Sequence, residues 1–137
     1  MSRHDARILA FSLIFEREFD NSKSLEEIYE TAKEIREFED DEYVKNAFYG
    51  TQEHETEILS LVEKYSQGWK INRISKISLT VIKLALYEML YTDIPLKVTM
   101  NEAVEIAKTY DDEKAASFVN GILNSAARNV KEKSLNE

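Results

Sequence analysis

The densest run of apolar positions in this chain is Ile77–Tyr91, ISLTVIKLALYEMLY. Leu79, Val81, Ile82, Leu84, Ala85, Leu86, Met89 and Leu90 leave little of a helical circumference polar. A surface helix needs only one apolar stripe, so the pattern predicts a central helix buried on most sides. Lys83 and Glu88 are the only charges inside it. With them it is too short and too interrupted to span a membrane, and it requires a shell of amphipathic helices around it.

The rest of the chain supplies such a shell. Ile8, Phe11, Phe15 and Phe19, flanked by Ala6 and Leu9, recur at helical spacing after a capping pair, Ser2 and Asp5. Asn21–Ser24 is a connection, and Ser24 with Glu27 caps a second helix carrying Leu25, Ile28, Ala32, Ile35 and Phe38 on one stripe. Asp40–Asp41 introduces a longer pattern through Val44, Ala47, Phe48, Ile58, Val62 and Tyr65. Gly50 interrupts that pattern, and Gly68 closes it in a left-handed conformation. Residues 69–76, WKINRISK, form a basic connection with one short helical turn, Trp69 serving as its core anchor. Beyond the central helix, Thr92–Lys97 with the sole proline, Pro95, reads as a loop. Thr99 and Glu102 read as the strongest capping box, opening a helix with Ala103, Ile106, Ala107 and Tyr110. Asp111–Asp112 starts a last helix with Ala115, Phe118, Val119, Ile122, Ala126 and Val130 on one side. Gly121 within it allows a close approach of a helix or ligand, and the tail from residue 131 is expected to fray. No stretch sustains a period of two, so the fold class is all-α, a compact helical bundle.

Composition agrees with that reading and narrows function. Of 137 residues, 43% are hydrophobic and 32% charged, which fits a globular domain. Only 3 Gly and 1 Pro suit long helices joined by few turns. The absence of cysteine removes disulfides, thiolate metal sites and cysteine nucleophiles together. No apolar stretch follows the start Met to mark the chain for export, so a cytoplasmic location is expected. The formal charge of -8 is uneven: residues 1–68 carry 8 basic against 17 acidic side chains, and residues 69–137 carry 10 against 9. That balance argues against a nucleic-acid binder working through its overall field, and leaves room for a local basic patch.

Catalytic chemistry finds little support. His4 and His54 lack ligand spacing, and each reads as solvent-exposed. No HExxH, Walker glycine loop, GxSxG or calcium-loop pattern is present. The pairs Glu26/Glu30, Glu30/Glu34 and Glu53/Glu57 share helix faces as ordinary solvated carboxylates. The chain is therefore not expected to be an enzyme, nor to need a cofactor or metal. Two basic groups favour binding instead. Arg3, His4 and Arg7 stand at a helix start, where cations are unfavourable unless an anion meets them. Trp69, Lys70, Arg73 and Lys76 form the second group.

Three collinear segments, read together, carry a resemblance to a known family. The first is RxxxRxLAFxxIF, with Arg3, Arg7, Leu9, Ala10, Phe11 and Phe15. The second is WKINRISKISLTVIKLALYEMLY, with Trp69, Arg73, Ile74, Ile82, Lys83, Ala85, Tyr87 and Glu88. The third is DIPLKVTMNEAVEIAKTY followed by FVNGIL. Over roughly residues 3–130 the chain resembles the bacterial transcription antitermination factor NusB family. The resemblance implies a single domain over 1–137, with about seven helices in two subdomains, near 3–67 and 70–131. It implies a partner, ribosomal protein S10 (NusE), and a ligand, the single-stranded boxA element of ribosomal-operon RNA, within the transcription elongation complex; no membrane is involved. By that likeness Arg3, Arg7, Phe15, Lys114 and Phe118 are RNA-binding. Arg73, Lys76, Ser78, Lys83 and Glu88 face the protein partner, and Asn120 and Gly121 belong to the FVNG turn.

Departures from the family pattern keep a second reading open. Its N-terminus often has a run of adjacent arginines, whereas Asp5 separates the two here. Ser78 stands where some members carry an acidic residue, and Ser117 where Lys or Arg often precedes the phenylalanine. The alternative is a non-catalytic protein-interaction module of the same fold with little intrinsic RNA recognition. NusB-like domains also occur fused to RNA methyltransferases, but no glycine-rich methyl-donor loop is present.

Overall fold

In the computed structural model, residues 1–66, 68 and 70–135 are described, with side chains as far as Val130. Trp69 and the last two residues lie outside that description, and the backbone of the tail is helical as far as Leu135. Among the described residues there are seven α-helices and one 3-10 turn. They divide into two compact units, Met1–Glu53 and His54–Glu137.

The first unit holds α1 (Arg3–Phe19), α2 (Leu25–Arg36) and α3 (Glu42–Glu53). The Ser2 and Ser24 hydroxyls accept the amide protons of Asp5 and Glu27 at 3.0 and 3.1 Å, so both expected caps form. The buried face of α1 is Ala6, Arg7, Ala10, Phe11, Leu13 and Ile14. It is rotated from the expected stripe, and leaves Phe19 64% exposed. Ile35, also expected inside, is 74% exposed because α2 buries Ile28, Tyr29 and Ala32 instead. Tyr29 is fully buried and ties down the α2–α3 connection. Its hydroxyl donates to Asp40 Oδ1 at 3.3 Å and accepts the Asp41 amide proton at 3.2 Å. Lys33 meets the same Asp40 carboxylate at 3.0 Å.

The second unit holds α4 (Glu55–Tyr65), the 3-10 turn (Ile71–Arg73), α5 (Lys76–Tyr91), α6 (Leu96–Tyr110) and α7 (Glu113–Leu135). α5 packs against α4, α6 and α7, and α4 also meets α7. The expected subdomain boundary near residues 67–70 is therefore displaced to Glu53/His54. α4 belongs with the helices that cover α5. The break in the long pattern likewise falls at His54 (φ -104, ψ 19), which carries no side-chain cap bond, and Gly50 lies buried within α3. Gly68 has the expected positive φ of 93°.

Every residue of α5 from Ser78 to Met89 is buried, so the all-round burial read from the pattern holds. Lys83 and Glu88 are 3% and 1% exposed. Lys83 Nζ lies 3.6 Å from Glu55 Oε1, at the start of α4. Glu88 Oε1 accepts the Thr99 hydroxyl at 2.8 Å. That bond corrects the expected capping box. α6 starts at Leu96 after Pro95, and Thr99 is a buried residue inside the helix whose hydroxyl serves α5. Gly121 is also corrected: a Cβ added there would meet nothing within 4 Å. His54, expected in solvent, is half-buried and stacks on Tyr91 with ring centroids 3.8 Å apart. The Tyr91 hydroxyl donates to Glu57 Oε2 at 2.5 Å. Burial and then this carboxylate push the phenol up to about 12.

Two outcomes are expected. Thr99→Val removes a donor from a buried carboxylate at nearly constant volume, and should cost about 1.5–3 kcal/mol in a urea titration. The neutral Tyr91 phenol contributes stability that is complete below its ordinary pKa of 10.0 and is lost as pH rises toward about 12. Tyr91→Phe should abolish that slope in alkaline unfolding and remove the component near pH 12 from the tyrosine absorbance titration.

Candidate nucleic-acid interface

The residues expected to bind fall into two groups, one in each compact unit. In the first unit, Arg3 and Arg7 are four apart on α1, and like charges at that spacing repel. Both guanidiniums lie against the ring of Tyr43, at the start of α3, with Cζ 4.8 and 5.4 Å from its centroid. The negative face of the ring offsets part of that repulsion. Arg3 is exposed, whereas Arg7 is only 3% exposed. Arg7 is thus not open to solvent as an RNA-contacting side chain. Its position, one turn further along α1 among Ala6, Ala10 and Phe11, turns it inward. Phe15 is half-buried, with Phe11 at 6.0 Å on one side and Phe19 edge-on at 4.8 Å on the other.

In the second unit the ends of three elements meet. The 3-10 turn leads into α5, and the α6–α7 connection leads into α7. Between them lies a groove of about 360 Å³ whose lining includes Arg73, Ile74, Ser78, Lys114 and Phe118. Arg73 and Lys114 are exposed, Phe118 is half-buried and Ile74 is buried. Local capping explains why the backbone converges here. Ser75 caps α5 by accepting the Ser78 amide proton at 3.1 Å, and Asp112 caps α7 by accepting that of Ala115 at 2.7 Å. The Ser75 hydroxyl in turn donates to Asp111 Oδ2 at 2.9 Å, joining the two helix starts. Asp111 and Asp112 balance Arg73 and Lys114 in formal charge. Each carboxylate has one oxygen engaged by the protein, while both cations stand on the exposed rim.

This arrangement redistributes the expected residues. Arg73 and Ser78, expected to face a protein partner, share one groove with Lys114 and Phe118, expected to face RNA. Lys76 is exposed nearby in sequence, on the first turn of α5. Lys83 and Glu88 are removed from the surface altogether, because α5 is enclosed and both polar heads are used internally. Ser78 is 3% exposed and reaches the groove only at its floor. Sequence reasoning missed Tyr43, whose signal was an arginine pair at a helix start with no carboxylate at i+4 to neutralise it. It also missed Asp111 and Asp112 as groove residues, having read them only as a helix start.

A larger furrow of about 660 Å³ runs between α6 and α7, past Asn101, Glu105, Lys108, Glu113 and Asn120. Its Lys108 is held 3.9 Å from Glu113, and with Glu105 the furrow is net acidic, which disfavours a phosphate backbone. Among the described residues no group of three His, Asp or Glu side chains is gathered for a metal ion. No helix among them is long and apolar enough to cross a membrane.

The NusB family model matches residues 4–128. The chain belongs to the NusB family. The transcription antitermination protein NusB of Clostridium acetobutylicum is 41% identical over 136 residues, covering 97% of this chain and 100% of the relative. That of Acetivibrio thermocellus is 40% identical over 130 residues, covering 93% and 90%. Among solved structures, T. maritima NusB superposes with a TM-score of 0.79 at 35% identity, over 93% of this chain and 92% of that one. A chain from a crystal of the antitermination factors NusB and NusE with double-stranded RNA has a TM-score of 0.79 at 26% identity, over 91% and 96%. The NusB fold of this chain thus extends over both compact units.

Exposure separates the two kinds of charged residue experimentally. Arg73→Ala and Lys114→Ala should each leave the unfolding free energy within about 0.5 kcal/mol of the wild type. Lys83→Ala should lower it by about 3 kcal/mol or more, since it leaves a cavity and strands part of the Glu55 charge. Chemical denaturation of the three variants checks the contrast.

Proposed function

We propose that this chain is an RNA-binding transcription antitermination factor that acts with ribosomal protein S10 on boxA-containing ribosomal-operon transcripts. The observation that carries the proposal is the likeness, over nearly the whole chain, to a NusB found in a crystal with NusE and double-stranded RNA. The groove is consistent with that role. Arg73 and Lys114 on its rim suit phosphates, and Phe118 offers an aromatic face to an unpaired base. In the first unit, Arg3 is an exposed cation and Phe15 a partly accessible ring. The net charge of -8 opposes RNA at long range, so few cations hold the strand and intrinsic affinity is modest. S10 raises it by adding its own contacts to the same strand. Lys76, exposed at the start of α5, belongs to the surface that meets S10, and Ser78 supports it from the groove floor. The assembly works in the cytoplasm on the transcription elongation complex, by shared binding and with no chemical step.

The burial of Arg7 and the carboxylates of Asp111 and Asp112 favour a second reading, a protein-interaction module of the same fold with little RNA recognition of its own. Titration of a single-stranded boxA-type RNA, with and without S10, distinguishes the two. The proposal expects salt-dependent binding that tightens when S10 is added and weakens for a scrambled strand. Equal affinity for boxA-type and scrambled RNA in both conditions would overturn it in favour of the second reading.

A further inference from the structure

We infer that Tyr43 is a positioning residue for RNA binding, holding Arg3 outward as a preset phosphate contact while Arg7 braces the ring from within the fold. The inference rests on the RNA-binding reading above. Two guanidiniums four residues apart at the positive end of a helix repel each other and the helix dipole. Left alone, such side chains spread into solvent. Here both stay within about 6 Å of one aromatic centroid, Arg3 at 4.8 Å and Arg7 at 5.4 Å. Their exposures then divide the work. Arg7 is 3% exposed and withdrawn from any ligand. Arg3 is exposed, with its guanidinium laid on the aromatic face of Tyr43.

The ring thus places the charge of Arg3 while leaving it accessible. A guanidinium already lying on a ring loses less side-chain freedom when a phosphate arrives. The ring comes from α3 and the arginines from α1, two helices packed together in the first unit, so the geometry belongs to the unit and not to a flexible end. Arg7 acts on RNA only through the ring it supports. This explains how a family member with two separated arginines at its N-terminus can keep one effective contact there.

The test is the salt dependence of affinity for single-stranded boxA-type RNA with S10 present, measured for the full chain. Tyr43→Leu should weaken binding about two- to fivefold, and Tyr43→Phe should bind as the wild type does. Arg3→Ala should lower the slope of log affinity against log salt by about 0.7, one phosphate contact on a single strand. Tyr43→Leu in the Arg3→Ala background should cost nothing more. An equal further loss in that background, or no loss for Tyr43→Leu alone, would overturn the inference while wild-type binding still upholds the RNA reading. No wild-type binding overturns both. Pentafluorophenylalanine at position 43 keeps the shape of Phe and reverses its ring electrostatics. It should reproduce the Tyr43→Leu loss, and lower the melting temperature somewhat because buried Arg7 lies on the same ring; affinity equal to that of Tyr43→Phe would instead show that the ring serves packing alone.

Discussion

The enclosure of α5 is the constraint on which the second unit depends. A helix apolar around its whole circumference cannot rest against one neighbour; water must be excluded from every side. α4, α6 and α7 accomplish that, and the polar residues carried on α5 must then find partners within the fold. Thr80 donates back to the Lys76 carbonyl at 2.8 Å, Lys83 meets Glu55, and Glu88 receives Thr99. Each bond joins a turn of α5 to itself or to a covering helix. The burial that stabilises the unit therefore also sets where α4 and α6 can lie along it, because an unpartnered buried charge costs several kcal/mol.

The first unit solves a different problem. It is strongly acidic and lacks a helix as apolar as α5, so its order depends on anchors at the connections. Tyr29 is the principal one, gathering Asp40, Asp41 and the end of α2 around a buried ring. Lys33, bonded to Asp40, holds that carboxyl below the usual carboxylate range. Against this acidic background the exposed guanidinium of Arg3 stands out, since its contact is an aromatic face and not a carboxylate. The groove of the second unit follows the same economy. Its acidic residues are engaged in capping and in the Ser75 bond, which leaves Arg73 and Lys114 on the rim. Both patches are small. That fits an adapter whose specificity is completed by a protein partner better than a protein that grips nucleic acid through its field.

Much of the architecture was legible along the chain. Helix spacing, the Ser2 and Ser24 caps and the apolar run at Ile77–Tyr91 depend on neighbours within a few residues, and such local signals survive folding unchanged. Family motifs, too, lie along one dimension, so the chain carries the NusB likeness without its fold. Structure and sequence pattern part where two signals compete. Thr99 and Glu102 have the spacing of a capping box, but Pro95 starts the helix earlier and Glu88 claims the hydroxyl. Ile35 fits a stripe that the packing of α2 does not use, and Gly121 offers room that no element enters.

The sequence by itself therefore determined the helices, the fold class, the family and the residue types available for binding. It did not decide which charged side chains are surface. Lys83 and Glu88 are ordinary charged residues in one dimension and internal bonding groups in three. Arg3 and Arg7 are equivalent in spacing, yet one is exposed and the other enclosed. Burial is a sum over elements distant in the chain, and a ring on α3 or a carboxylate on α4 leaves no mark beside the residue it holds. Only the packed units assign Arg73 and Phe118 to one groove, and only they give Arg3 and Arg7 a shared partner in Tyr43.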